Sequence, residues 1–402
     1  MAIFSARVSD PGERFLTEVA LTLHRLGLPS DRLEAVLQGA ARQLAVPLVV
    51  FAEPTALLLA FGPEDAQRVV VLRVEPSEVD LGHLAAVDQL LRRVERGEYG
   101  LDAAVAHMRA VLSVQAWPAP LMVFAHGLAS GSAAILFGGT PGDAAASGAI
   151  GVVVGLLEQG ALRSPSFTRV LVPVASFVAT AGARYAVAVF PGVHPGISAL
   201  SGVIVFLPGL TLTLAMTELA TGHLASGVAR TASAVVTLLM LIVGVALAEQ
   251  VVTLPTATAL HWAKMPFGLT IPAVVIGAAA FGVLLKARPR DLLPVVLSGV
   301  LAYYVATVAS DRLGEEIGAG VGAFVIAALS LFYGRLFGRT ALVPLVPGVL
   351  MLVPGSIGYR SLAAMLGGQV LVGVEQAFRM GMIGAAIAAG LMLAESLRPR
   401  TP

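Results

Sequence analysis

The sequence predicts a polytopic α-helical membrane protein: about ten transmembrane helices as two inverted five-helix repeats, preceded by a cytoplasmic α+β domain. Three observations lead to this fold class. The 402 residues are 57% hydrophobic and 13% charged, with mean hydropathy +0.85, whereas soluble domains are nearer a quarter charged. Charged residues are dense in the first 118 positions, and long apolar stretches follow. A helix-breaking motif in the first apolar half recurs in the second.

Residues 1–118 have the pattern of a small α+β domain. Apolar residues recur at helical spacing from Gly12 to Leu26, and a second helix is predicted from Ser30, whose side chain is expected to cap it. The runs PLVVFAEPTALLLAF and QRVVVLRVEP predict strands joined by Pro-containing turns. Amphipathic helices are expected near 80–96 and 101–112. The domain should therefore contain about four helices and a hairpin or meander.

The remaining chain divides into about ten apolar stretches of the roughly 20 residues that a bilayer core requires. They lie at 119–139, 142–159, 168–190, 195–219, 224–249, 266–286, 291–309, 316–336, 340–360 and 368–395. The first five form one predicted repeat, residues 119–250, and the last five form another, residues 265–397.

Loop charges orient these spans. With the N-terminus inside, nine Lys and Arg residues lie in inside loops and three in outside loops, as the positive-inside rule requires. The inside set is Arg163, Arg169, Lys286, Arg288, Arg290, Arg335, Arg339, Arg398 and Arg400, and the outside set is Lys264, Arg312 and Arg360. We therefore expect a multi-pass protein of the cell (inner) membrane with both termini and the α+β domain in the cytoplasm.

Composition and motifs narrow the function classes. A net charge of +1 argues against a nucleic-acid partner, and the absence of cysteine excludes thiolate chemistry. The N-terminus lacks the apolar run of a signal peptide. His24, His83 and His107 lack metal-ligand spacing, so neither a metal nor another cofactor is predicted. The pattern GxxxxGK[ST] does not occur, which argues against an ATP-driven pump.

An offset of 146 residues relates the two apolar halves. It carries Pro208-Gly209 onto Pro354-Gly355, Gly222 onto Gly368, Gly227 onto Gly373, Gly244 onto Gly390 and Leu247-Ala248-Glu249 onto Leu393-Ala394-Glu395. Because each half has an odd number of spans, the second half enters the membrane from the opposite side. Secondary transporters commonly have such inverted repeats and bind substrate near the midplane, where matching helices are interrupted.

The first interruption lies in LPGLTLTLAMTELATGHLASGVAR, residues 207–230. Proline removes a backbone donor and glycine loosens the chain, which frees backbone groups that lipid cannot satisfy. A helix that restarts after the break offers N–H groups to a carboxylate, with threonine hydroxyls beside them. The predicted substrate-binding residues are Pro208, Gly209, Thr211, Thr213, Arg230, Pro354 and Gly355. The alternative is that each break is a packing kink.

Glu218 and Asp143 are predicted proton-coupling residues. Glu218 is either a proton carrier or cation partner, or a residue in water at the cytoplasmic end of its span. Arg230 is either the partner of Glu218 or an arginine that snorkels to the interface. Asp143, like its pseudo-equivalent Asp291, is alternatively a helix cap, which places Asp143 at the outer surface.

His126 and Glu375 complete the proton-coupling candidates. His126 lies deep in the first span and is either a proton relay or a hydrogen-bonded structural histidine. Glu375 precedes Arg379 by one helical turn, so its alternative role is a mutual ion pair facing the bundle.

Several motifs resemble the signature of the threonine/serine exporter family. They are VIVFLPGLTLTLAMTELATGHLASGVAR, LGLPSDRLEAVLQGAARQLAVPLVVFAEPTALLLAF, RVERGEYGLDAAVAHM and FGGTPGD. The resemblance covers nearly the whole chain, with a first module at residues 12–250 and a second at 268–395. It implies a transporter, not an enzyme, that exports L-threonine and L-serine using the proton motive force.

The sequence departs from the family pattern after the break. Where the family often has R-D-L and then G-D, this chain has Thr217-Glu218-Leu219 and Gly222-His223. The acid is kept as Glu218, but a positive and a negative charge are missing. The substrate and the proton-carrying residue therefore stay open.

Two rival classes of function stay open as well. The α+β domain is alternatively a hydrolase-like or regulatory module that the membrane part anchors, or the protein is a passive channel. An acid and a break inside the bundle favour a transporter over an anchor. The expected partners are L-threonine, L-serine, protons and the lipid bilayer, and the sequence leaves open whether protomers form a homo-oligomer.

Overall fold

The computed structural model describes residues 10–75, 78–114, 116–189, 192–252, 267–353 and 355–397. The first part of the fold, called here the N-terminal region, covers residues 10–112. Its elements are α1 (Pro11–Arg25), α2 (Ser30–Gln43), β1 (Leu48–Glu53), β2 (Ala56–Phe61), β3 (Arg68–Arg73), α3 (Leu81–Glu95) and α4 (Leu101–Leu112).

The three strands form an antiparallel meander in the order β1-β2-β3. Because side chains alternate along a strand, Leu57, Leu59 and Phe61 of β2 all point to one face, where they are buried in the same core as residues of α1 and α2. The predicted strands are therefore present, and the sheet is a meander rather than a single hairpin.

Local sequence explains the start of α1 but not the start of α2. The Asp10 carboxylate caps α1 by accepting hydrogen bonds from two first-turn N–H groups at 2.6 and 3.3 Å. Helix α2 begins at Ser30 as predicted, but the predicted cap is wrong, since Pro29 is the N-cap and no side chain caps this helix. The Ser30 hydroxyl instead lies 2.8 Å from the Ser226 hydroxyl, outside the N-terminal region.

The second part of the fold, the helical bundle, covers residues 119–396. Its described helices are α5 (Ala119–Leu136), α6 (Pro141–Ala161), α7 (Pro165–Thr168), α8 (Leu171–Val189), α9 (Pro195–Gly202), α10 (Gly209–Ala220), α11 (Leu224–Val251), α12 (Phe267–Leu284), α13 (Leu292–Leu313), α14 (Glu315–Phe337), α15 (Leu342–Leu350), α16 (Gly355–Leu366) and α17 (Val370–Ser396). Short 3₁₀ turns at Ile204–Phe206 and Pro289–Asp291 precede α10 and α13.

Within the described residues, seven helical segments are long and apolar enough to cross a membrane. The bent pair α9–α10 makes an eighth when it is counted as one span. Helices α8 and α12 contain shorter apolar segments, Leu171–Val187 and Gly268–Leu284. The chain is therefore a polytopic helical membrane protein, and the layout of about ten spans stays a prediction.

Both halves of the bundle use the same kind of close helix approach. A Cβ atom on Gly244 of α11 would collide with the carbonyl oxygen of Pro173 in α8. A Cβ atom on Gly390 of α17 would collide with the carbonyl oxygen of Gly320 in α14. Only glycine lets the two backbones of each pair touch. The two glycines are related by the same 146-residue offset that the sequence shows.

The turns after α10 and α16 also match. Gly222 and Gly368, again related by that offset, have φ values of 88° and 79°. Such positive φ values strain other L-residues, so glycine suits both helix ends. The half-helix that follows each break therefore stops in the same way in both halves.

The N-terminal region docks on the bundle through the start of α3. The Leu81 N–H donates to the Leu285 carbonyl oxygen at 2.9 Å, in the loop between α12 and α13. Trp117 Nε1 donates to the Ala287 carbonyl oxygen at 2.7 Å, which ties the linker before α5 to the same loop. These bonds place α3 beside the ends of the apolar helices.

Candidate functional site

The predicted break at Pro208 and Gly209 separates two half-helices. Helices α9 and α10 are bent by 58° across the 3₁₀ turn. Pro208 is the N-cap of α10, and no side chain caps this helix. The Gly209 N–H donates to the Leu207 carbonyl oxygen at 2.8 Å. The next N–H groups of α10 form the positive end of a half-helix inside the bundle.

The start of α16 touches the start of α10. Pro354 lies outside the described residues, but Gly355 is the first residue of α16 and is buried. A Cβ atom on Gly209 would lie 3.1 Å from the Gly355 nitrogen, and one on Gly355 would lie 3.1 Å from the Gly209 nitrogen. Two positive helix ends thus meet at one buried point, which favours an anion there.

A cavity of about 710 Å³ extends from α10 to the N-terminal region. Residues of α10, α14, α15 and α17 form its bundle side, and residues of α1, α2 and α3 form the opposite side. Leu210 and Thr213 bring the cavity to the first turns of α10, close to the break. The N-terminal region is therefore a wall of this cavity.

Threonine hydroxyls line the α10 side of the cavity. Thr213, Thr217 and Thr221 recur every four residues, which places them on one helix face. Thr217 and Thr221 donate to carbonyl oxygens one turn back at 3.0 and 2.9 Å. The fully buried Thr213 Oγ1 has no hydrogen-bond partner among the described residues, so it is the hydroxyl best placed to bind a polar ligand. Thr211 is half-buried and is not among the cavity-lining residues described.

Glu218 lies under α2. Its side chain is fully buried, so the alternative that it lies in water is wrong. It accepts hydrogen bonds from Arg230 Nε at 2.9 and 3.0 Å, from Ser226 Oγ at 2.7 Å and from the Ser30 N–H at 3.2 Å. Arg230 is thus its partner rather than a snorkelling arginine. Because Ser30 starts α2, the carboxylate also compensates the positive end of that helix.

Helix α2 is attached to α17 as well. Arg32 donates two hydrogen bonds to the Glu395 carboxylate at 2.8 and 2.6 Å. Burial by itself lowers the pKa of Arg32, but the hydrogen bond and charge of Glu395 together with the charge of Asp31 outweigh burial and raise that pKa. His223, which stands where the family pattern often has an acid, lies with Nε2 3.3 Å from Glu34 of α2.

Asp143 joins the starts of α6 and α9. It forms the capping box of α6 with Thr140. It also accepts hydrogen bonds from the His194 N–H at 2.5 Å, His194 Nδ1 at 2.9 Å and Ser198 Oγ at 3.2 Å. The cap is therefore present, and the side chain is fully buried beneath α9. The placement of Asp143 at the outer side of the membrane stays a prediction.

Asp291 is the N-cap of α13, but its side chain makes no capping hydrogen bond. The predicted capping role is therefore wrong for the carboxylate. It instead pairs with Arg288 at 2.8 Å and Arg339 at 3.2 Å. Arg339 lies three residues before the start of α15 and His194 directly before the start of α9, so each acid contacts a residue just ahead of a helix in its own half.

His126 faces an acid that the sequence does not single out. The ring is 2% exposed, and Nδ1 donates to the Met122 carbonyl oxygen at 2.9 Å. Nε2 lies 2.7 Å from the Glu158 carboxylate, although not along a hydrogen-bond direction, and neither atom has another partner among the described residues. With the Nδ1 proton in place, Nε2 and the carboxylate repel unless one of them carries a further proton.

The predicted ion pair between Glu375 and Arg379 is wrong. Arg379 instead contacts Glu315 at 3.1 Å and Glu316 at 3.1 Å, both at the start of α14. Glu375 is exposed on α17 rather than turned into the bundle. The reason is that α14 and α17 pack together and bring two acids to Arg379 from another helix.

Sequence reasoning missed Glu158, His194 and Ser226. Glu158 lies at the end of the predicted span 142–159, and treating every acid inside a span as a candidate would have found it. His194 and Ser226 offer no local signal, because their partners Asp143 and Glu218 approach them through helix packing.

A polytopic helical bundle in which the starts of two half-helices meet close to a cavity has the kind of fold that membrane transporters use. The chain belongs to the threonine/serine exporter family, which confirms the resemblance seen in its motifs. A family model described as "Putative threonine/serine exporter" matches residues 14–252. A second, described as "Threonine/Serine exporter, ThrE", matches residues 270–397. The family names indicate a transporter, not an enzyme.

Curated relatives are about a quarter identical to this chain over the aligned residues. A "Probable threonine/serine exporter" of Mycobacterium tuberculosis is 26% identical, over 89% of this chain and 70% of that protein. A "Pheromone-regulated membrane protein 10" is 24% identical in both Debaryomyces hansenii and Eremothecium gossypii. These matches cover 92% and 87% of this chain but only 37% and 48% of the fungal proteins. No solved structure matches the chain.

Proposed function

We propose that the protein is a secondary active transporter that exports L-threonine and L-serine, with coupling to the proton motive force. Family membership and the name of the mycobacterial relative support an exporter of this class. The observation that carries the proposal is the contact between Gly209 and Gly355, which places two half-helix N-termini together at a buried point close to a cavity.

The carboxylate of the amino acid binds at the two helix starts, where backbone N–H groups compensate its charge. Its hydroxyl binds Thr213 Oγ1, which is buried, lines the cavity and has no other partner among the described residues. Thr211 is a second candidate for the hydroxyl. A small substrate fits this arrangement because the two groups of a hydroxy amino acid are only a few bonds apart.

The His126–Glu158 pair is the proposed site of proton exchange. The pair needs one shared proton, and losing it leaves a carboxylate facing a ring nitrogen lone pair at 2.7 Å. The other candidates fit less well. Glu218 and Asp143 each accept several hydrogen bonds, and Glu375 is exposed. We therefore assign anchoring roles to Glu218 and Asp143.

The two halves of the bundle are proposed to be inverted repeats that rock against each other around the meeting point of α10 and α16. The matched glycine approaches in the two halves support the repeat. The charges of the loops support cytoplasmic placement of both termini and of the N-terminal region, in the cell (inner) membrane. In this orientation the cavity lies at the cytoplasmic side of the bundle, where the N-terminal region forms one wall.

A regulatory or hydrolase-like N-terminal module stays the alternative. The N-terminal region forms a wall of the cavity, which favours a part in transport over an independent activity. A passive channel is the other rival, and it predicts flux without any effect of protons.

Counterflow of labelled threonine into proteoliposomes that contain the full chain tests the proposal. We expect uptake against unlabelled threonine or serine, and stimulation by a pH gradient. No movement of either amino acid, with or without the gradient, would reject the substrate. Amino-acid movement that does not change when a pH gradient is applied would favour the passive channel.

A further inference from the structure

We propose that α2 is a clamp that ties the two halves of the bundle together on the side of the N-terminal region, with Arg32 as its positioning residue. The inference rests on the proposed function, because a clamp has a consequence only if the two halves move relative to each other.

The first attachment of the clamp is to the half that contains α10 and α11. The Ser30 N–H donates to Glu218 at the end of α10, and the Ser30 hydroxyl contacts Ser226 near the start of α11. Glu218 is fully buried and also holds Arg230. Breaking this attachment would leave a buried carboxylate with fewer donors, which is costly.

The second attachment is to the half that contains α17. Arg32 lies two residues after Ser30. Both of its terminal nitrogens donate hydrogen bonds to the Glu395 carboxylate in the last turn of α17. The two side chains are 31% and 35% exposed, so water replaces the partners when the pair separates. Exposed pairs of this kind cost much less to break than buried ones.

This difference between the attachments decides how the clamp releases. The pair of Arg32 with Glu395 opens first, while α2 stays on Glu218 and moves with the α10–α11 half. Arg32 and Val36 of α2, and Pro29 just before it, also line the cavity. The closed clamp therefore holds the halves at the separation that keeps this cavity, and its release lets the halves move.

The chain has no cysteine, so engineered cysteines report distances without background. Spin labels at Leu224→Cys, at the start of α11, and Leu397→Cys, after the end of α17, report the separation of the halves on the clamp side. Both positions are exposed, at 62% and 60%. Double electron–electron resonance in nanodiscs should give one dominant distance in the otherwise unchanged protein.

Adding Arg32→Ala should raise the population of a second distance at least about fivefold. Arg42→Ala is the matched control, since Arg42 is an exposed arginine of the same helix. Arg32→Glu should act like Arg32→Ala, and combining it with Glu395→Arg should restore the dominant distance. Restoration would show that the second distance arises from loss of this ion pair, and size-exclusion chromatography of each single variant checks that it is folded.

An unchanged distance distribution in both Arg32→Ala and Arg32→Glu would overturn the clamp. So would a charge-exchanged variant that behaves like Arg32→Glu alone. The distances do not depend on which solute moves. If the distances do not change as expected but threonine counterflow is normal, the clamp is rejected and the proposed function is retained. If the unchanged protein shows no counterflow but the distances change as expected, the proposed function is rejected and the clamp is retained.

Discussion

Buried polar side chains of the bundle differ in how fully they are paired. Glu218 and Asp143 accept hydrogen bonds from several donors each, and such groups hold helices together. Thr213 Oγ1 and the facing atoms of His126 and Glu158 lack an aligned partner among the described residues. An unsatisfied buried group is costly, so we expect the unpaired set to interact with what the protein transports.

Replacing Glu158 with Gln should abolish proton coupling while leaving exchange of amino acid intact. The amide cannot take up the shared proton that the carboxylate and His126 hold between them. We expect stimulation by a pH gradient to fall at least about tenfold, measured as the ratio of threonine uptake with and without the gradient.

Glu375→Gln is the control for this experiment, because Glu375 is an exposed acid of the bundle. It should keep the stimulation of the unchanged protein. Full stimulation in Glu158→Gln would contradict the assignment of the proton site.

Thr213→Val should weaken binding of both amino acids. Valine has nearly the same shape but lacks the hydroxyl, and one hydrogen bond is worth about 0.5–1.5 kcal/mol. The KM for threonine should therefore rise roughly two- to tenfold. Thr211→Val is the matched control, and its KM should change less. Equal changes in KM for the two substitutions would contradict the assignment of Thr213 as the residue that binds the substrate hydroxyl.

Broken helices are the elements that position the site. Helix α10 runs from Gly209 to Ala220 and α16 from Gly355 to Leu366, and a glycine with positive φ, Gly222 or Gly368, lies two residues after each end. The two starts touch, so any side chain on either first residue would push the half-helices apart. Small residues at such a point allow both positive helix ends to face one ligand.

Gly209→Ala tests this contact. The added Cβ atom would lie 2.6 Å from Val353 Cγ2 and 3.1 Å from the Gly355 nitrogen. We expect a loss of about 1–3 kcal/mol of stability from overpacking and a marked fall in counterflow. Thermal unfolding of the purified protein measures the first effect.

Gly381→Ala in α17 is the matched control, since a Cβ atom there has no neighbour within 4 Å. It should keep both stability and counterflow. A Gly209→Ala protein that unfolds and transports like the control would mean that the two half-helices do not need this contact.

The N-terminal region and the bundle act as one assembly joined at α2 and at α3. At α3, His83 Nδ1 donates to Asp80 at 2.8 Å and Nε2 donates to the Val114 carbonyl oxygen at 3.0 Å, so the ring carries both protons. Lys286 of the bundle lies 3.8 Å from the same Asp80 carboxylate. The hydrogen bond with Asp80, opposed by burial, raises the pKa of His83 above 6.5.

The α3 junction should therefore weaken as the pH rises. A group whose pKa is raised by folding stabilises the fold fully below its unfolded value, and that contribution is lost as the pH passes through the raised value. Burial by itself raises the pKa of Asp80, but the hydrogen bonds from His83 and the charges of His83 and Lys286 together lower it, so the carboxylate stays charged throughout this range. We expect the Tm at about pH 9 to lie roughly 2 °C or more below the Tm at about pH 6.

His83→Gln should remove most of this pH dependence. His107→Gln should leave it unchanged, because His107 is exposed on α4. A similar fall in Tm between the two pH values in the His83→Gln protein would assign the effect to other groups.

Much of the site was predictable because it depends on local chemistry. Pro208 and Gly209 interrupt a helix whatever surrounds them, and the 146-residue offset points to Gly355 as the matching position. The pairing of Glu218 with Arg230 is predictable as one of two alternatives, since Glu218 lies near the end of α10 and Arg230 near the start of the next helix. The pairings of Arg379 and His126 were missed because their partners come from other helices.

Hydropathy by itself determined the membrane class, because bilayer thickness and backbone satisfaction act on each segment separately. The family was indicated by the motifs that resemble its signature. Packing between distant segments decided that Glu158 faces His126 and that α2 covers Glu218. It also decided that the N-terminal region forms one side of the cavity. Such contacts join residues more than 30 positions apart in the sequence, and the pair of Arg32 and Glu395 is 363 positions apart. A local sequence pattern therefore cannot predict them.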